Sequence, residues 1–93
     1  MKREEALELL RHQHTFPGTF DFRVVVRAGT KATVLSAIQA TVGEPGALKG
    51  VTERASRKGN YQALVVHMRV LSAEQVLEVY ALIQNLPEVV TAM

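Results

Sequence analysis

The chain contains no cysteine, which excludes a disulfide framework and any thiolate-held metal. It also lacks a long hydrophobic run. The longest near-continuous one, residues 63–71, is interrupted by His67 and Arg69 and is far too short to span a bilayer. Aspartate occurs once, at Asp21, and the glutamates lie mainly on helical stretches expected to face water. No Gly-x-Ser-x-Gly nucleophile turn is present, and "GEPG" at 43–46 lacks the Gly-Lys-Ser/Thr ending of a phosphate loop. Enzymatic activity is therefore not expected, nor is a cofactor. The opening "MKREEALELLRHQH" carries three glutamates and no unbroken apolar segment, so it does not read as a secretory signal. A chain of this kind is expected in the cytoplasm, without a membrane partner. Net charge is only +2, too small to imply nucleic acid unless the cations are clustered.

What is present is the composition of one small globular domain: 93 residues, 47% apolar and 22% charged, enough apolar material to exclude disorder. No internal repeat or low-complexity tract interrupts it. Residues 2–13 read as a short helix, with Ala6, Leu9, Leu10 and Gln13 on one stripe. Pro17 and Gly18 break it. "TFDFRVVVRA" then alternates. Phe20, Phe22, Val24, Val26 and Ala28 take one face, and Asp21, Arg23, Val25 and Arg27 the other. Thr30 can cap a second helix that sets Val34, Leu35, Ile38 and Val42 on one side, and "GEPG" ends it. Residues 47–54 form a weaker strand with Gly50 inside, which suits an edge position.

Residues 62–71 are the strongest strand, with Leu64, Val66, Met68 and Val70 on the apolar face and Tyr61, Ala63, Val65, His67 and Arg69 opposite. Ser72 to Gln75, "SAEQ", has the capping-box spacing for a third helix carrying Val76, Val79, Tyr80 and Ile83. Pro87 stops it before a short final strand, "EVVTAM". Apart from the leading helix (1–14), residues 15–93 thus have the order β-α-β-β-α-β. Two amphipathic helices must cover one face of one sheet, and right-handed crossovers leave few arrangements of four strands. The expected fold is α+β, a ferredoxin-like split βαβ sandwich with the strands in the order 4-1-3-2 and antiparallel. One sheet face is left without helices.

"FPGTFDFRVV", "SRKGNY" and "AEQVLEVYALI", in this order and followed by a short terminal strand, resemble the YbeD-like family of small bacterial proteins over residues 15–93. The resemblance implies a ferredoxin-like fold akin to ACT regulatory domains and brings no assigned activity. Its signature positions fall on Phe16, Pro17, Phe20, Ser56, Lys58, Gly59, Asn60 and Tyr61.

Two segments can carry function. In "SRKGNY", Gly59 tolerates positive φ and Asn60 bonds its own neighbourhood, as a tight hairpin requires. As a second reading, Arg57, Lys58, Gly59, Asn60 and Tyr61 hold an anion, with the cations and the turn's amides as donors. The second segment is the uncovered sheet face, where Arg23, Val25, Arg27, Val65, His67 and Arg69 mix aliphatic and cationic groups as interfaces do. Charges that merely keep a sheet face soluble would look the same.

The RNA-recognition strand pattern fails, because Asn60, Gln62 and Val65 stand where stacking aromatics are needed. His12, His14 and His67 do not make a metal set: the first two diverge on a helix, and carboxylates are scarce nearby. The expected function is a non-enzymatic regulatory or binding module for a partner protein or small anionic metabolite. The alternative is an adaptor working through the sheet face or an edge strand, and a homodimer through the open face belongs to either. Nucleic acid is the least expected partner.

Overall fold

The computed structural model describes residues 2–92; Met93, at the end of the expected terminal strand, lies outside them. The element order is α1 (Arg3–Gln13), β1 (Gly18–Arg27), α2 (Lys31–Val42), β2 (Leu48–Ala55), β3 (Tyr61–Val70), α3 (Ala73–Asn85) and β4 (Val89–Ala92). The four strands form one antiparallel sheet in the order β2-β3-β1-β4. This is the split βαβ arrangement expected from the sequence.

The sheet is built around β1 and β3. They pair without interruption from Gly18↔Val70 to Arg27↔Tyr61. Each alternates strictly, so Phe22, Val24, Val26, Leu64, Val66, Met68 and Val70 point into the helix layer and are buried. From α2, Val34, Ile38 and Val42 close onto this surface; from α3, Val76, Val79 and Ile83 do so. β2 is an edge strand, irregular between Leu48 and Gly50, where Lys49 is inserted as a bulge. Among the described residues β4 pairs with Val24–Val26 of β1, and the first half of β1 has no neighbour on that side.

Local signals match most of the boundaries. Ser72 Oγ accepts from the Gln75 amide at 3.2 Å, as a cap should. The Gln75 side chain reaches back one residue further than in a regular capping box, accepting from Leu71 N at 2.8 Å. Gly43 ends α2 with φ +74°, a left-handed C-cap that suits glycine. Thr30 occupies the N-cap of α2, but its hydroxyl donates to the Arg27 carbonyl at 2.6 Å and does not cap the helix.

Two expectations about packing need correction. Leu35 lies on the flank of α2 and is only half-buried, because the contact line runs through Val34, Ile38 and Val42. α1 buries no residue at all. It leans on α3, with Ala6, Leu7 and Leu10 half-covered, while Leu9 is 45% exposed and Gln13 faces water. An apolar stripe defined by Leu9 and Gln13 is therefore rotated from the true one.

Ile38 is fully enclosed, so Ile38→Ala is expected to lower stability by about 2–4 kcal/mol through lost transfer energy plus the cavity left behind. Leu35→Ala should lose less than half as much. Urea denaturation of both variants measures the difference, and equal losses would return Leu35 to the core.

Candidate functional site

The β2–β3 hairpin closes on a four-residue loop. Ser56 N donates to Tyr61 O at 2.9 Å, and Gly59 N donates to Ser56 O at 3.0 Å, the i to i+3 bond of a β-turn. The Tyr61 amide donates to Ser56 Oγ at 3.2 Å, and Gly59 sits at φ +72°. Every distinctive residue of the motif except the two cations thus has a backbone task. Asn60 adds another: its carbonyl accepts from Ala28 N at 2.9 Å, pinning the hairpin to the loop between β1 and α2. Arg57 and Lys58 are exposed at the tip.

The uncovered sheet face is assembled by register. Across β2-β3-β1, Arg54, Ala63 and Val25 form one row, Thr52, Val65 and Arg23 the next, and Gly50, His67 and Asp21 a third. Tyr61 pairs with Arg27 at one end and Arg69 with Thr19 at the other, while Thr91 of β4 lies beside Val25. All six face residues expected from the sequence, Arg23, Val25, Arg27, Val65, His67 and Arg69, stand on this side, and Tyr61 joins them at 42% exposure. Val25, Ala63, Val65 and Thr91 floor a shallow hollow of about 180 Å³, with Arg23 at its rim.

Arg54, Thr52 and Asp21 were not part of the expected site. Alternation alone puts Asp21 on this face, but its pairing with His67, 46 positions away, follows only from strand register. His67 Nδ1 donates to Asp21 Oδ1 at 2.6 Å, and its Nε2 lies 3.2 Å from Thr52 Oγ1. A proton on Nδ1 toward the carboxylate leaves Nε2 facing the threonine hydroxyl. The line Thr52–His67–Asp21 has the order of a nucleophile, base and orienting acid. It lies open to water, with the His67 and Asp21 side chains 33% and 47% exposed, and so lacks the dry enclosure that strengthens a catalytic centre. What it does structurally is tie three strands together.

The charges are sorted by side. Arg23, Arg27, Arg54 and Arg69 share the open face, and among the described residues none of them is in an ion pair. The only carboxylate in those rows, Asp21, is already held by His67. Glu4, Glu5 and Glu8 belong to α1, Glu74 and Glu78 to α3, and Glu44 to the loop after α2. A net charge of +2 thus conceals a basic sheet face, while the helices carry mixed charge, their five glutamates standing beside Arg3, Arg11 and Lys31.

A second hollow, about 520 Å³, opens at the uncovered half of β1 between His14, Phe20, Asp21, Arg23 and Tyr80. The His14 ring meets Phe20 edge-on at 4.9 Å, although His14, the extended C-cap after α1, is itself exposed. Tyr80 stacks edge-on against Phe22 at 5.1 Å, and burial raises its hydroxyl pKa above 10.0 although the Arg23 guanidinium pulls it down. Among the described residues no group of three metal-ligating side chains occurs, and no helix is long and apolar enough to cross a membrane.

An α+β domain of this topology hosts many unrelated functions, and the fold by itself names no activity. The chain belongs to the family of proteins of unknown function DUF493, whose model matches residues 11–93; this is the YbeD-like family that the motifs resemble. Among solved structures it is similar to the solution structure of protein HP0495 from H. pylori, a structural genomics target. The TM-score is 0.72 at 20% identity, over 86% of this chain and 85% of that one, which shows a shared fold. No curated protein matches the chain.

Two outcomes follow from the turn and from Tyr80. Gly59→Ala should cost roughly 1 kcal/mol, because a Cβ is disfavoured at positive φ, whereas Arg57→Ala with Lys58→Ala should stay within about 0.5 kcal/mol of the parent. Chemical denaturation distinguishes them. A raised folded-state pKa means the Tyr80 contribution is complete below pH 10 and is lost as pH climbs through the folded value. Tyr80→Phe should therefore flatten the alkaline limb of the stability profile, as measured by melts across that range.

Proposed function

We propose that this protein is a non-enzymatic binding module that takes an anionic partner, bearing carboxylates, on its open sheet face. One observation carries the reading: four arginines on one face, none in an ion pair among the described residues, around an apolar floor. Arginine forks match carboxylates in bidentate fashion, and an aliphatic floor with an arginine and tyrosine rim is the composition of a protein-binding hot spot. A small anionic metabolite would use the same guanidinium groups. The hairpin tip, with Arg57 and Lys58, extends the positive potential beyond the Tyr61–Arg27 end of the face.

The short β4 supports an adaptor role as a second reading. Among the described residues Thr19 and Asp21 have no β4 partner, so a partner's extended segment could continue the sheet there. A homodimer that lays two open faces together is disfavoured by charge, since it would bring each set of four arginines against the other.

The test is thermal denaturation of the wild type with poly-L-glutamate, with citrate and with NaCl at matched ionic strength. Wild type should gain several degrees in poly-L-glutamate or citrate over the salt control, by preferential binding to the native state. A variant with Arg23, Arg27 and Arg54 changed to Gln should lose that gain while keeping its melting point in buffer. An equal gain from single-stranded poly-U would overturn carboxylate recognition in favour of a general polyanion response, and an unchanged gain in the variant would remove the sheet face as the site.

A further inference from the structure

We infer, building on the proposed recognition of carboxylates by the sheet face, that its occupant is the outer face of α1 from a second copy of this chain. α1 stands apart from the rest of the fold in three ways. It buries no side chain, it packs against α3 with only one flank, and the family match begins at residue 11, after most of the helix. It is thus an appended element with an unused side.

That side is acidic. At about 100° per residue, Glu4, Glu5 and Glu8 fall within an arc of roughly 100°, with His12 inside it and Leu9 at its margin. Ala6, Leu7 and Leu10, the half-covered residues, lie on the opposite arc together with Arg3. Arg11 is held at 2.7 Å by Glu74 of α3, so the cation nearest the acidic arc is already neutralised. Among the described residues Glu4, Glu5 and Glu8 have no ion partner, and Leu9 is the most exposed leucine of the helix.

The sheet face supplies the complement in charge and shape. Its cations lie around an aliphatic floor, as the glutamates of α1 lie beside one exposed leucine. Arg23 and Arg27 are about 13 Å apart along β1, and an 11-residue helix is about 16 Å long, so α1 can span both. Leu9 rests on Val25 and Val65 while Glu5 and Glu8, the carboxylates within about 100° of it, meet Arg23, Arg27 and Arg54. The contact joins two different patches, so it is heterologous and grows with concentration until a ring closes it. It is small, with an expected Kd on the order of 10–100 µM.

The test is sedimentation equilibrium of the full chain over a concentration series. Wild type should exceed the monomer mass at the high end of the series in about 50 mM salt, and association should weaken several-fold in about 500 mM salt as the charges are screened. Glu4, Glu5 and Glu8 changed to Lys gives one variant; Arg23, Arg27 and Arg54 changed to Glu gives another. Each should be monomeric alone and folded by circular dichroism, and their equimolar mixture should associate again.

Recovery in the mixture establishes the helix-on-sheet contact. A wild type that stays monomeric throughout, or a lysine variant that associates as wild type does, overturns it. The earlier reading is tested separately. A monomeric wild type still stabilised by poly-L-glutamate leaves that reading intact with a different partner, and loss of both responses removes the two together.

Discussion

The ten-residue antiparallel pairing of β1 with β3 is the constraint on which the rest of the molecule depends. Because side chains alternate along a strand, this one pairing defines two surfaces at once. The even-numbered residues of both strands become the floor of the core, and the odd-numbered ones become the open face. A slip of one residue would send Arg23 and Arg27 beneath the helices and expose Phe22 and Val24. Register here is therefore fixed by burial, and the arrangement of the arginines is inherited from it. Core formation and the recognition surface cannot vary independently.

The polar line Thr52–His67–Asp21 reinforces that register from the solvent side. It acts where β2, the bulged edge strand, needs fastening to the two central strands. The hairpin is fastened a second time by the Asn60 carbonyl on the Ala28 amide, which links the tip to the start of α2. A loop with two charged, exposed residues is in this way tied both to its own strands and to the loop after β1.

Much of this was legible in the sequence, for physical reasons that differ from element to element. The period-2 pattern of "FDFRVVV" and "LVVHMRV" is unambiguous because both strands are central and half-buried, so element type, face and strand order followed. The capping spacing of Ser72 and Gln75 marked the start of α3 for a local reason that needs no tertiary context. Legibility failed where the answer lay in contacts between distant segments. The Asp21–His67 bond joins positions that no local pattern connects, and Arg54 reaches the open face only after the Lys49 bulge has reset the phase of β2. α1 was misread in rotation because only four of its eleven residues are apolar and three of these, Leu7, Leu9 and Leu10, spread around the helix, so its orientation is decided by the contact with α3. The sorting of charge by face was hidden by a net charge near zero. Sites expected from residue type were brought together as a surface, but which of their groups remain unpaired could be seen only once the ion pairs were placed.

The unequal treatment of the two sheet borders has a consequence for misassembly. Flat, regular strand borders template the addition of further chains, and native proteins blunt them. At β2 the inserted residue twists the border locally, and Lys49, Thr52 and Arg54 leave it polar. β1 has no such irregularity over residues 18–23, which pair with no β4 residue among those described, and the charged pair Asp21 and Arg23 stands there. If this protein aggregates under acid or high salt, growth should start from the bare half of β1. Acid neutralises Asp21 while leaving Arg23 charged, salt screens both, and neither supplies a partner strand.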